Sequence, residues 1–158
     1  MHTASFWQVT GWMAGFLFIF PLLCYLLWIA FFGFRNSMAF GITYGIFLLL
    51  EFLLALPALL VMRTIGPFPT LSAPAQALAA VGAVLAVTAF TPLLAPMARW
   101  PLYFVVCGRP PVVATKFAAS YTYSVAGQRG YSVDPLSATH LFRTEQAAIR
   151  AGFHRGPD

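Results

Sequence analysis

"MAGFLFIFPLLCYLLWIAFFGF", residues Met13–Phe34, contains no charged side chain. At a rise of about 1.5 Å per residue, a helix over this stretch crosses a hydrocarbon core of about 30 Å with length left over for tilt. A cleaved secretory leader carries positive charge ahead of its apolar run. Here the first Lys or Arg is Arg35, behind the run. The stretch is therefore expected to be a retained transmembrane span, covering about residues 12–34, with residues 1–11 as an outer segment.

The rest of the 158-residue chain agrees with that reading. It is 60% hydrophobic and 8% charged, with mean hydropathy +0.80, whereas soluble domains carry about 25% charged residues. A soluble core of this size cannot hide so much apolar surface, so the lipid bilayer is the expected solvent for much of the chain. The net charge of +5 raises the question of nucleic acid. No helix-turn-helix pattern, zinc spacing or dense Lys/Arg run accompanies it, so no nucleic-acid partner is expected. Eight arginines against one lysine, with abundant alanine and proline, fit a GC-rich bacterial source.

A second span reads from about 39 to 62, bracketed by Arg35 and Arg63 and close enough to the first to form an antiparallel hairpin with it. Inside it "GIFLLLEFLLALPALLVM" places Glu51 near the middle. A carboxylate at the bilayer centre costs about 2.5–3.5 kcal/mol on insertion scales, so it is expected to face protein and find a partner or a proton. Tyr44 falls on its side of the helix two turns earlier, and Ala55 and Ala58 share its flank. The connector "TIGPFPTLSAPAQ" repeats proline too often for a helix and reads as a loop. A third span covers about 77–98, with Pro92 and Pro96 expected to bend its second half. Thr88 on that span would lie at about the depth of Glu51, which makes Glu51, Tyr44 and Thr88 a candidate polar seam. "PLYFVVCG", residues 101–108, is too short to cross and reads as interfacial.

Small residues mark where helices in lipid can approach closely. Gly11 and Gly15, Gly41 and Gly45, and Gly82 with its alanine neighbours supply such faces on the three spans. Arg35, Arg99, Arg109 and Lys116 flank the spans on one side and only Arg63 lies on the other, which puts the N-terminus outside and the tail in the cytoplasm. Arg99, Arg109 and Lys116 are the candidate contacts for lipid headgroups or a partner.

Residues 12–108 are thus expected to form an all-α bundle of three transmembrane helices, and residues 109–158 a small basic cytoplasmic tail. In the tail, "FAASYTYSV", "AGQRG" and "YSV" suggest a short β-hairpin. Asp134-Pro135 offers a helix start. "TEQAAIRAGF" offers a complete short helix: Thr144 caps it, Gly152 stops it and Phe153 packs back on its last turn. So little structure buries too little area to stand alone, so the tail is expected to dock on the bundle's own cytoplasmic face or on a partner.

No catalytic motif is present: Gly-x-Ser-x-Gly, His-Glu-x-x-His, a P-loop and paired carboxylates are all missing from the sequence. His2, His140 and His154 lie outside the spans, and Cys24 and Cys107 form no ligand pair, so neither metal nor other cofactor is expected. Most aromatic side chains of the first span are spread around the helix, which ordinary packing explains better than a pigment site. The expectation is a non-catalytic accessory or structural subunit of a bacterial inner-membrane complex, respiratory or secretory, contacting other membrane subunits. The alternative is a homo-oligomeric ion or proton channel, or small transporter, with Glu51 on its path. The isolation of Glu51 weighs against the alternative, because proton relays string several ionisable groups together.

Overall fold

A computed structural model describes residues 4–116, 119–133 and 139–157. Most of the chain is helical, and three helices are long and apolar enough to cross a membrane: Phe6–Phe32, Phe34–Met62 and Ala73–Phe90. The first opens with a capping box, in which the Ser5 hydroxyl accepts from the Gln8 amide and the Gln8 side chain accepts from the Ser5 amide. It consists of α1 (Phe6–Ala14), a π-helical turn (Gly15–Ile19) and α2 (Phe20–Phe32). The wide turn sits just before Pro21, which has no N–H to give to Leu17 and whose ring would crowd the Leu17 carbonyl. Widening the helix there lets the chain continue instead of kinking.

Gly33 alone separates α2 from α3 (Phe34–Met62). Its φ of 81° is a left-handed conformation that other residues adopt at a cost. The second span therefore begins at Phe34, not near residue 39, and Ser37 bonds the Gly33 carbonyl through both its amide and its hydroxyl. The third span also differs from expectation. α4 starts at Ala73, earlier than 77, because Pro74 sits in the first turn, where no amide donor is needed. It ends at Phe90 instead of bending through to 98. Pro92 bars its preceding residue from the helical region and would crowd the Thr88 carbonyl, so the chain turns through 91–94. A separate helix, α5 (Ala95–Cys107), follows and ends at Gly108 in a left-handed cap. The anticipated interfacial segment 101–108 is the second half of α5. At 13 residues α5 reaches about 20 Å, short of a crossing. It buries Ala95, Met97 and Trp100 and leaves Leu102, Val105 and Val106 exposed.

The tail carries, instead of a lone hairpin, a four-stranded sheet among the described residues, β1 (Val112–Thr115), β2 (Thr122–Ser124), β3 (His140–Phe142) and β4 (His154–Arg155), in the order β3-β1-β2-β4. β1 is central, antiparallel to β2 with Ala114 opposite Tyr123 and antiparallel to β3 with Val113 opposite Leu141; β4 joins β2 in parallel. Its Val112, Val113 and Ala114 are all buried, as a strand covered on both faces requires. The expected strand at Tyr121–Val125 is present as β2, but "YSV" at 131–133 is not a strand, since β1 takes the place of pairing partner. "AGQRG" does form a turn, closed by Gln128, whose side chain accepts from the Val125 amide. The helix start at Asp134-Pro135 lies outside the described residues.

α6 (Glu145–Arg150) follows its expectation closely. The Thr144 hydroxyl accepts from the Ala147 amide. At the other end the Phe153 amide reaches the Ala148 carbonyl and the Gly152 amide reaches that of Ile149, with Gly152 at φ 89°. That double closure with a left-handed glycine is the Schellman arrangement. Phe153 then packs with Val112, Ala114, Tyr123 and Ala148 in the tail's core.

The chain divides into two compact units. The first comprises Met1–Tyr25 and Ile46–Val87, and the second Leu26–Gly45 and Thr88–Asp158. The core of the first is a set of helical stripes: Val9, Met13 and Leu17; Ala55 and Leu59; Ala77, Ala80, Val81 and Val84, with Phe68 from the connector. In a bilayer, whose tails are as apolar as these side chains, close contact rather than the hydrophobic effect would hold such a core, and its alanines suit that. Phe18 meets Phe52 at 5.4 Å in the first unit and Trp28 meets Phe40 at 5.2 Å in the second. Joined through Gly33 alone and in contact at Trp28 and Phe40, α2 and the start of α3 form a hairpin within the second unit, as expected of the first two spans.

Candidate functional site

In the first unit Glu51 is 1% exposed, between Phe47 and Ala55, which are also buried one turn to either side. A stripe of this kind at i, i+4 and i+8 turns the carboxyl towards protein and away from lipid, as the energetics of a mid-span carboxyl require. Ala58 is half-buried on the adjoining flank. Tyr44 and Thr88, the other residues of the anticipated seam, belong to the second unit; Thr88 is buried and Tyr44 half-buried.

The first unit also holds a polar lock that the sequence did not reveal. Arg63 donates from Nε to Gln76 Oε1 at 3.0 Å and from its terminal nitrogen to the Ala4 carbonyl. Gln76 is fully buried and donates in turn to the carbonyls of Leu71, at 2.8 Å, and Pro69, at 3.3 Å. One side-chain pair thus ties the start of α1 to the connector and to α4. Connector residues 68–70 form a short 3-10 turn, a tighter arrangement than the open loop expected there.

The glycines placed on the candidate packing faces stand in the open. A Cβ added at Gly11, Gly15, Gly45 or Gly82 would meet nothing within 4 Å among the described residues. Close approach inside this chain is therefore not what these four are for; Gly41 is half-buried.

The second unit is organised by Trp100 and Tyr131. Trp100 Nε1–H donates to the Tyr131 hydroxyl at 2.9 Å, and that hydroxyl donates to the Pro111 carbonyl at 2.9 Å. Around them Trp28, Phe40 and Tyr44 close an aromatic cluster: Phe40 lies 4.9 Å from Trp100, and Tyr131 lies 5.8 Å from Trp28. Gly127, at φ 94°, lets the tail's turn come close, since a Cβ there would sit 3.2 Å from the Phe32 ring. The chain's own helix ends α2, α3 and α5 thus supply the cover that so small a tail needs. Burial raises the Tyr131 phenol well above its usual range, only partly offset by the Trp100 donor. Burial likewise raises Tyr123, helped by its hydrogen bond to Glu145 Oε2 at 3.1 Å and by that carboxylate's charge.

The three flanking cations have different surroundings. Arg109 donates to the Arg143 carbonyl at 3.2 Å. Lys116 stands over the rings of Tyr121 and Phe153, at 6.0 and 5.9 Å from their centroids. Arg99 lies over Phe90 at 5.9 Å and faces a groove of about 480 Å³. One wall of this groove is α5, through Pro96, Arg99 and Tyr103; the other is Thr139 and the strand β3 that follows it. His140, at its edge, is held below the usual imidazole range by burial first and by the Lys116 charge second. Tyr103, Trp100, Tyr131 and Gln76 were not singled out in the sequence, and His140 was weighed there only as a metal ligand. Arg99 and Tyr103 are one helical turn apart, a spacing that could have been read once α5 was known to start at residue 95.

No three His, Cys, Asp or Glu side chains converge to hold a metal among the described residues. Cys24 is exposed and Cys107 half-buried, both as free thiols. Comparison with models of protein families, with curated proteins and with solved structures finds no match to this chain.

Proposed function

We propose that this chain is a non-catalytic accessory subunit of a bacterial inner-membrane assembly of respiratory or secretion type. Its N-terminus is outside, its spans pack on neighbouring subunits, and its tail docks a cytoplasmic partner. The observation that carries this reading is the state of the small-residue faces. Gly11, Gly15, Gly45 and Gly82 offer close approach and nothing among the described residues takes it up, while helices in lipid associate chiefly through such faces. In the most apolar 18-residue windows of the three spans only 11%, 22% and 33% of residues are buried. Much helical surface is thus left for lipid and neighbours.

The proposed orientation gains support from Arg63, the one basic residue on its wrong side. Bonded to Gln76 and Ala4, Arg63 has a structural task that accounts for its position, so the remaining Lys and Arg set the direction of insertion. The experiment is affinity purification of the whole chain from its native membrane in mild detergent, with mass spectrometry. Other integral subunits should co-purify in fixed ratio, and Gly82→Leu with Gly11→Leu should release them. A chain that purifies only as copies of itself sinks the proposal.

The burial of Glu51 at the middle of a span favours a second reading, a homo-oligomeric ion or proton channel or small transporter. Three spans need several copies around an axis to enclose a path. Loss of ion or proton flux in Glu51→Gln, with an assembled ring retained, would decide for the channel and against the accessory subunit.

A further inference from the structure

We propose that the groove between α5 and β3 binds the headgroup of an anionic phospholipid, its phosphodiester held by Arg99 and its glycerol end lying against Phe90 and Pro92. The proposal deepens the membrane reading above and rests on it. Three observations on one side of the molecule combine here.

The first is charge. Arg99 is exposed, and its side chain makes no hydrogen bond or ion pair among the described residues; its guanidinium lies over the face of Phe90. Among the described residues no acidic side chain lines the groove, and the other ionisable groups that do are Tyr103 and His140. A planar guanidinium with all five donors available suits a phosphodiester oxygen pair, which it can hold through two parallel bonds.

The second is position. Phe90 is the last residue of the third candidate span, and Pro92, Ala95 and Pro96 carry the chain directly from it along the groove wall. A groove starting at a span end lies at headgroup depth if the span crosses the bilayer. α5 itself leaves Leu102, Val105 and Val106 exposed, as a helix lying in the interface does. Lipid can therefore reach the groove laterally, without leaving the bilayer.

The third is the lining. About 480 Å³ falls within the ~300–1,000 Å³ range of small-molecule sites. Its lining is mixed in the manner of the ligand: a cation, a phenol and an imidazole for the headgroup, and Phe90, Pro92, Pro96 and Leu141 for the glycerol and the first methylenes. At the groove's edge the His140 imidazole, held below its usual range by burial and by the Lys116 charge, adds a hydrogen-bonding group.

The test uses the full chain in a neutral detergent and native mass spectrometry with added phosphatidylglycerol, against phosphatidylcholine of identical acyl chains. Phosphatidylglycerol should be retained at least about tenfold better, Arg99→Gln should abolish that preference, and Arg99→Lys should recover only part of it. Arg155→Gln, exposed and away from the groove, should bind like the native chain. Equal retention of the two lipids overturns the proposal, as does an Arg99→Gln chain that keeps its preference with an unchanged circular-dichroism spectrum. Saturable binding of glycerol 1-phosphate as tight as that of the lipid would assign the groove to a soluble phosphate and overturn the lipid. Carbonate extraction of cell membranes separates the two levels: a chain that stays in the pellet but shows no lipid preference refutes this site alone, and a chain washed off refutes the membrane reading itself.

Discussion

Replacing Tyr131 by phenylalanine removes one oxygen atom from a residue that is 1% exposed. That oxygen makes two hydrogen bonds, accepting from Trp100 and donating to the Pro111 carbonyl. The ring stacks are kept, so the loss is confined to two buried polar partners, each costing about 1–3 kcal/mol when left unsatisfied. Two such losses sum to about 2–6 kcal/mol, and water reaching the freed partners brings the expected cost to the low end, about 2–3 kcal/mol. Tyr131→Ala should cost more, about 3–5 kcal/mol, because a cavity opens beside Trp28 and Phe40. Limited trypsin digestion reads this directly, since Arg129, Arg143, Arg150 and Arg155 all lie in the tail. If cleavage follows the open fraction, about 2 kcal/mol makes it about thirtyfold faster. Cleavage should accelerate at the tail arginines in the order native, Phe, Ala. A Phe variant cut at the native rate would mean that the hydroxyl does not anchor the tail, and the account of the second unit would fail with it.

Other perturbations follow from the same geometry. Gln76→Leu removes the acceptor of Arg63 and the donors to Leu71 and Pro69, and should lower stability by about 1–3 kcal/mol in detergent melting; adding Arg63→Ala should cost less than the sum of the two single changes, because both act on one network. Thr144→Ala should cost about 1 kcal/mol through its lost cap, and Gly152→Ala about 1–2 kcal/mol through strain at φ 89°, both visible in amide exchange of α6. Alkali should loosen the tail: the unfolded phenol ionises near 10.0, the folded Tyr131 higher, so stability is full below pH 10 and falls above it, by up to about 1.4 kcal/mol per pH unit. Tyr131→Phe should lose that part of the alkaline slope. At the acid end the folded His140 titrates below 6.5, so protonation favours the unfolded chain and stability declines as pH falls below 6.5, an effect that His140→Gln should reduce.

What could be read from the sequence was what a single stretch of chain decides. Long apolar runs, two of them charge-free, located three candidate spans, and α6 was legible to the residue because Thr144, Gly152 and Phe153 each act on neighbours a turn away. The misplaced boundaries came from proline. Pro74 and Pro92 are the same residue with opposite effects: one opens a helix where amides are idle, and the other ends a helix whose amides are needed. The sheet was missed because pairing is non-local. β1 finds β3 across more than twenty residues, and "VVAT" looks no more like a central strand than any short apolar run. Glu51 was expected to face protein because of the cost of a carboxyl at mid-span, and its side chain is buried. The Trp100–Tyr131 bond, the Arg63–Gln76 lock and the groove at Arg99 could not be reached in this way, since each depends on where separate elements meet.

The account stands most directly on three crossings with the tail on the side opposite the N-terminus. Single cysteines at Ser5, Ser72 and Arg155, all exposed positions, can be tested in a chain with Cys24 and Cys107 replaced by serine. A membrane-impermeant maleimide added to intact cells should label the cysteines at 5 and 72 at once, and the one at 155 only after permeabilisation. Labelling of 155 together with 5 in intact cells would mean an even number of crossings, and the three-span fold with its cytoplasmic tail would be contradicted.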